Sequence, residues 1–139
     1  MALKPPHETY VRNAAELTEL WQNMMGSGGF GMRSLWHVFI ELDGRLSPVV
    51  LPIDDVPARP DPRLLGNLAG ILREVLGDTA ASTVAVLLSR PGTSEMTDPD
   101  RRWARAVRES YGPQLCPWPV HLATHDRIRV FAPDDLIAA

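Results

Sequence analysis

Three rhythms of apolar and polar residues run along the chain, and they mark out its elements. Leu17, Leu20, Trp21 and Met24 recur at the spacing of one helical face. Asn13 stands before this stripe with Glu16 three residues later, a pair that caps a helix start. The glycine-rich GSGGFG, residues 26–31, ends the helix. A second helical stripe comprises Leu64, Leu65, Leu68, Ile71, Leu72, Val75 and Leu76. Asp61-Pro62 places a cap and a first-turn proline before it, and Gly77 is expected to stop it. A third helix is predicted over Pro99–Tyr111, with Trp103, Ala106 and Val107 facing inward.

The strand pattern is different. Leu35–Leu42 predicts a strand, Asp43-Gly44 is a strong hairpin turn, and Arg45–Leu51 returns. Pro48 within the return strand implies an edge position or a bulge. Ala81–Leu88 is almost continuously apolar, the pattern of a central strand covered on both faces. Trp118–Ala123 and Arg127–Phe131 predict two last strands around a turn near Asp126, and Pro133-Asp134-Asp135 begins a final helical turn. The order αββαβαββ suits an α/β fold, a three-layer α/β/α sandwich on a mixed sheet. The strand–helix–strand run from Leu46 to Leu88 implies a right-handed crossover.

Composition narrows the picture. The 139 residues are the length of one domain, with residues 1–12 expected as a loosely ordered lead-in. Apolar residues make up 45%, enough for a real core, with no run of the roughly 18 that a membrane span needs. The start, MALKPPHETYV, lacks the apolar stretch of a signal peptide, and Cys116 has no second cysteine to pair with. A reducing cytoplasm is the expected compartment. Net charge is −3 with both signs mixed, which argues against a nucleic-acid groove. All 14 basic residues except Lys4 are arginine, a bias of GC-rich bacterial genomes.

Candidate chemistry concentrates at the junction Thr83–Val107, a buried strand, a polar loop and a capped helix. Such junctions often carry the ligand in open α/β sheets. The loop offers Ser89, Arg90, Thr93, Ser94, Glu95, Thr97, Asp98 and Asp100, but no His, Cys or Lys. Ser89, Arg90, Thr93, Thr97, Asp100 and His121 are the candidate ligand-binding residues, with Arg90 as the anion partner. Thr97-Asp98-Pro99-Asp100 is fully explained as a helix start.

Other motifs carry less. Gly26, Gly28 and Gly31 match G-x-G-x-x-G, but a helix precedes them and a strand follows, the reverse of a dinucleotide site. His121 and His125 have the spacing of paired zinc ligands, yet their flanks are strand-like and the glutamate of HExxH is missing. His37 is expected as a core histidine, and Cys116 as a small buried hydrophobe with nothing nearby to lower a thiol pKa. Ser89 lacks the G-x-S-x-G elbow, so a Ser89–His121–Asp hydrolase requires those groups to meet in space.

At this junction the chain resembles the JAB/MPN metal-dependent hydrolases in their bacterial RadC-like form. Leu88-Ser89-Arg90-Pro91-Gly92 stands where that family has H-x-H-P-S. Thr97-Asp98-Pro99-Asp100 stands for S-x-x-D, and Val120-His121-Leu122-Ala123 for the D-H-L-I-like strand. The hairpin LWHVFIELDGRLSPVV takes the place of the family's N-terminal hairpin. The resemblance covers about residues 34–132, mainly through element order, and implies a cytidine-deaminase-like or JAB-like sandwich. In the family two histidines and the aspartate hold zinc and an upstream glutamate is the base. Here the histidine positions are Leu88 and Arg90, and the glutamate position falls near Ser34 or Leu35, so only Asp100 remains.

The resemblance therefore implies a degenerate member with no metal, no cofactor and no catalysis, acting as a binding or scaffolding domain. A homo-oligomer or protein partner is expected, with Trp21 and Met24 on the first helix as the association surface. The alternative is a small-molecule or anion-binding protein with its site at the Ser89–Asp100 loop and weak hydrolase activity. Neither reading includes nucleic acid or membrane as a partner.

Overall fold

In the computed structural model, which describes residues 5–26 and 30–137, four α-helices pack on one five-stranded mixed sheet. The elements are α1 (Ala14–Met25), β1 (Ser34–Glu41), β2 (Leu46–Ile53), α2 (Pro62–Asp78), β3 (Ala81–Ser89), α3 (Asp98–Leu115), β4 (His121–Ala123), β5 (Ile128–Val130) and α4 (Pro133–Ile137). The order expected from the apolar rhythms is thus the order observed, including the final helical turn expected from Pro133, which is α4.

The sheet runs β2-β1-β3-β4-β5. β1 is antiparallel to both β2 and β3, so α2 carries the chain over β1 from one edge to the centre. β3 and β4 form the parallel pair, joined by α3, and β5 folds back antiparallel on β4. β3 occupies the middle of the sheet, as its continuous apolar run requires. β2 is an edge strand, and its pairing with β1 shifts between Val38 and Ile40. Pro48 and Pro52 are tolerable there because an edge strand can spare backbone donors.

Alternation along the strands divides the core in two. Leu35 and Phe39 of β1, with Val84, Val86 and Leu88 of β3, meet Leu65, Leu68 and Leu72 of α2 and Trp103, Val107 and Tyr111 of α3. On the other face, Val38, Ile40, Ala85, Leu87 and Ala123 meet Leu17, Leu20 and Trp21 of α1. Burying each large side chain contributes about 1.5–3 kcal/mol, which holds both layers to the sheet. Trp21 is fully buried in this core, so the self-association expected through it finds no free side chain at that position.

The helix starts follow the capping residues. Asn13 Oδ1 accepts from Glu16 N at 2.9 Å, while Glu16 Oε1 accepts from Arg12 N. Asp61 Oδ1 accepts from Arg63 N and Leu64 N ahead of the first-turn proline. The helix ends depart from expectation. α2 passes through Gly77 to Asp78 and is capped at Thr79, because a glycine without positive φ merely weakens a helix. α3 passes beyond Tyr111 to Leu115 by way of Gly112, whose φ 78° and ψ 163° break the helix before Pro113 restarts it.

β4 begins at His121 rather than Trp118, since Pro117 and Pro119 have no N–H for a ladder. The lead-in is tied down near its end: Leu46 N donates to Thr9 O, Val11 N donates to Gly44 O, and Val11 is buried. Within the described residues no helix is long and apolar enough to cross a membrane. Gly28 of the G-x-G-x-x-G match lies outside the described residues.

Candidate functional site

β3 ends at Ser89, α3 begins at Asp98, and the loop between them is built around the Arg90 side chain. Arg90 Nε donates to Asp100 Oδ1 at 2.7 Å and Nη2 donates to Asp100 Oδ2 at 2.7 Å, a two-pronged ion pair. Nη2 also donates to the Glu95 carbonyl at 2.8 Å, and Nη1 donates to the Pro91 carbonyl at 3.0 Å. The Arg90 backbone N–H donates to Ala123 O, tying the loop to the end of β4. Four of the five guanidinium N–H groups are therefore used inside the fold.

Asp100 is completely buried and has a second duty. Its Oδ2 accepts from the Thr97 backbone N–H at 2.9 Å, and the Thr97 hydroxyl faces Asp100 N at 3.4 Å, closing a reciprocal cap. One carboxylate thus accepts three hydrogen bonds, which compensates its removal from water. Gly92 completes the loop. Its φ is 103°, and a Cβ there would lie 3.1 Å from Arg90 Nη1, so backbone and packing both call for glycine.

The remaining candidates do not converge on Arg90. Thr93 and Thr97 are exposed. Ser89 is buried and its Oγ accepts from Trp36 Nε1 at 2.9 Å. His121 is fully buried under α1. Its Nδ1 lies 3.2 Å from the Pro119 carbonyl, which can only accept, so Nδ1 carries the proton. Nε2 then accepts from the Thr18 hydroxyl at 2.7 Å. Thr18 Oγ1 also lies 3.1 Å from Ala14 O, and its single proton goes to the shorter partner. Burial lowers the His121 pKa to about 4 against the weaker upward pull of the Pro119 bond, so the ring is neutral near pH 7.

Ser89 and His121 share one sheet face as diagonal neighbours, because Leu87 pairs with His121 and Ser89 with Ala123. They are not hydrogen-bonded to each other, and each is held by a different partner. His125, four residues on, is exposed in the β4–β5 turn, where its backbone N–H donates to Gly92 O. The two imidazoles of HLATH therefore lie in separate environments. Among the described residues no three His, Cys, Asp or Glu side chains are grouped to hold a metal ion. Leu88 is packed in the core beneath α2 and α3, and Arg90 is bound to Asp100.

Two buried groups lie apart from this junction. His37 Nδ1 donates to Leu51 O at 2.9 Å, and the Tyr111 hydroxyl donates to His37 Nε2 at 2.8 Å. Burial lowers the His37 pKa to about 4 despite the Leu51 bond, and burial pushes the Tyr111 hydroxyl up. Cys116 is buried at the C-terminal end of α3, and burial raises its thiol to about 11, so it is no nucleophile near pH 7.

Sequence reasoning missed Trp36, Thr18 and Tyr111 as the partners of Ser89, His121 and His37. Each sits far away in the chain, and only the sheet register brings it into reach. It also missed a crevice of about 400 Å³ between the end of α1 and the β4–β5 turn. The polar string Thr124-His125-Asp126-Arg127 after a strand was the available signal. Compared with known proteins, the chain matches no family model and no curated protein sequence.

Proposed function

We propose that this chain is a non-catalytic α/β binding or scaffolding domain, and that its Ser89–Asp100 junction is a structural clasp. The observation that supports this reading is that Asp100, Glu95 and Pro91 take four of the five Arg90 N–H groups. In the JAB/RadC-like alignment Arg90 and Leu88 take the histidine positions. A fixed cation at one and a core leucine at the other favour a degenerate member of such a fold over an active one. The same bonds weigh against the anion-holding alternative, since Arg90 would have to release a buried carboxylate to take an anion. The Ser89–His121 hydrolase is disfavoured because Trp36 and Thr18 occupy the two groups beneath α1.

Elemental analysis of the purified chain tests the proposal. Zinc far below one per chain is expected, and it should stay so in Arg90→His. Stoichiometric zinc in the unaltered protein overturns the reading.

A further inference from the structure

The crevice missed by sequence reasoning lies at the carboxyl end of β4, beside the parallel β3–β4 pair. That is where open α/β sheets tend to hold small ligands. It adjoins the Arg90 loop but shares no lining residue with it, and its volume of about 400 Å³ falls within the roughly 300–1,000 Å³ of small-molecule pockets. Met25 at the end of α1, Phe30 and Ile128 line it while packing on the core beneath α1. Gln22, Thr124, His125, Asp126 and Arg127 line it as well and make it more polar than apolar.

The β4–β5 turn is held in shape by its own hydrogen bonds and by one to the Arg90 loop. Thr124 N donates to Arg127 O at 3.1 Å, the Thr124 hydroxyl donates to Asp126 Oδ1 at 3.0 Å, and His125 N donates to Gly92 O at 3.3 Å. Asp126 and Arg127 are sequence neighbours of opposite charge, yet they form no ion pair with each other. Arg127 has no ion-pair or side-chain hydrogen-bond partner among the described residues. An exposed carboxylate and an exposed guanidinium that line the same crevice as Met25, Phe30 and Ile128 match a ligand that carries both charges and an apolar body.

We propose that this crevice binds a small zwitterion, an α-amino acid with an apolar side chain. Arg127 takes the α-carboxylate, Asp126 takes the α-ammonium group, and the side chain lies against Met25, Phe30 and Ile128. The inference goes beyond the scaffolding reading and stands at a different place, so the zinc assay and the ligand assay fail independently.

Titration calorimetry of the whole chain with L-leucine and L-phenylalanine tests it. Saturable binding is expected. 3-Phenylpropionate, which lacks the ammonium group, and phenethylamine, which lacks the carboxylate, should each bind about tenfold or more weakly. Arg127→Ala and Asp126→Asn should each weaken the amino acid by a similar factor. Asn keeps the acceptor for Thr124, and both positions are exposed, so circular dichroism should show an unchanged fold. Absence of saturable binding overturns the proposal. So does equal affinity for 3-phenylpropionate, which marks an anion site only, or unchanged affinity in both variants.

Discussion

Arg90 and Asp100 face each other through two parallel hydrogen bonds of 2.7 Å, with the carboxylate fully buried and the guanidinium nearly so. The pair joins the end of β3 to the first turn of α3 and so ties together the two ends of the loop between them. Removing one partner of such a pair strands a charge in the interior. Arg90→Ala or Asp100→Asn should therefore lower unfolding stability by about 3–5 kcal/mol, read from urea midpoints. The double variant Arg90→Met, Asp100→Leu should cost clearly less than the sum of the single Arg90→Met and Asp100→Leu losses. Additive losses would mean that the two groups do not act as a unit.

His37 and His121 make stability fall with acid. Both are neutral in the folded chain, with pKa values lowered to about 4 from 6.5. Above pH 6.5 neither state binds the proton and stability is complete. Below it the unfolded chain binds protons that the folded chain refuses, so stability is lost as pH falls toward 4. Each histidine should contribute a slope of about 1.4 kcal/mol per pH unit within that window. Unfolding midpoints of the protein and of His121→Gln between pH 4.5 and 7 check this. The variant should show a visibly shallower slope, and an equal slope refutes the assignment for His121.

Cys116 should resist thiol reagents while the protein is folded. Its thiol is buried and raised to about 11, so little thiolate exists at pH 8. Labelling by a disulfide reagent should be slow in buffer and fast in denaturant. Fast labelling of the native protein would show that the C-terminal end of α3 opens readily.

Gly112 and Gly70 should respond oppositely to alanine. A Cβ at either position meets nothing within 4 Å. Gly112, however, sits at φ 78° and ψ 163°, a region nearly reserved for glycine, so Gly112→Ala should destabilise by about 1–3 kcal/mol. Gly70 lies exposed within α2 with no positive φ, so Gly70→Ala should stabilise by about 0.5–1 kcal/mol. Thermal unfolding of the two variants separates backbone strain from packing.

Much of the candidate junction was legible in the chain because its signals are local. The Thr97–Asp100 cap, Pro99 in the first turn and the apolar run of β3 are all patterns of near neighbours, and the structure places each as expected. Asp100 was legible only in its cap role. Its second role, as counter-ion to Arg90 ten positions earlier, depends on the loop returning on itself around Gly92. The expected end of α3 at Tyr111 is where its continuous helical geometry ends, but the turn that follows the Gly112 kink and buries Leu115 was not legible.

By itself the sequence determined the element order, the central place of β3, the edge place of β2 and the caps of the three long helices. These follow from side-chain periodicity and from hydrogen bonds within a few residues. Tertiary structure alone decided what the polar groups do. Trp36 reaches Ser89 across 53 positions, Tyr111 reaches His37 across 74, and Thr18 reaches His121 across 103. No periodicity encodes such pairs, because they are chosen by sheet register and by which helix covers which face. The same packing gave Arg90 a carboxylate for a partner and left Arg127 facing a crevice.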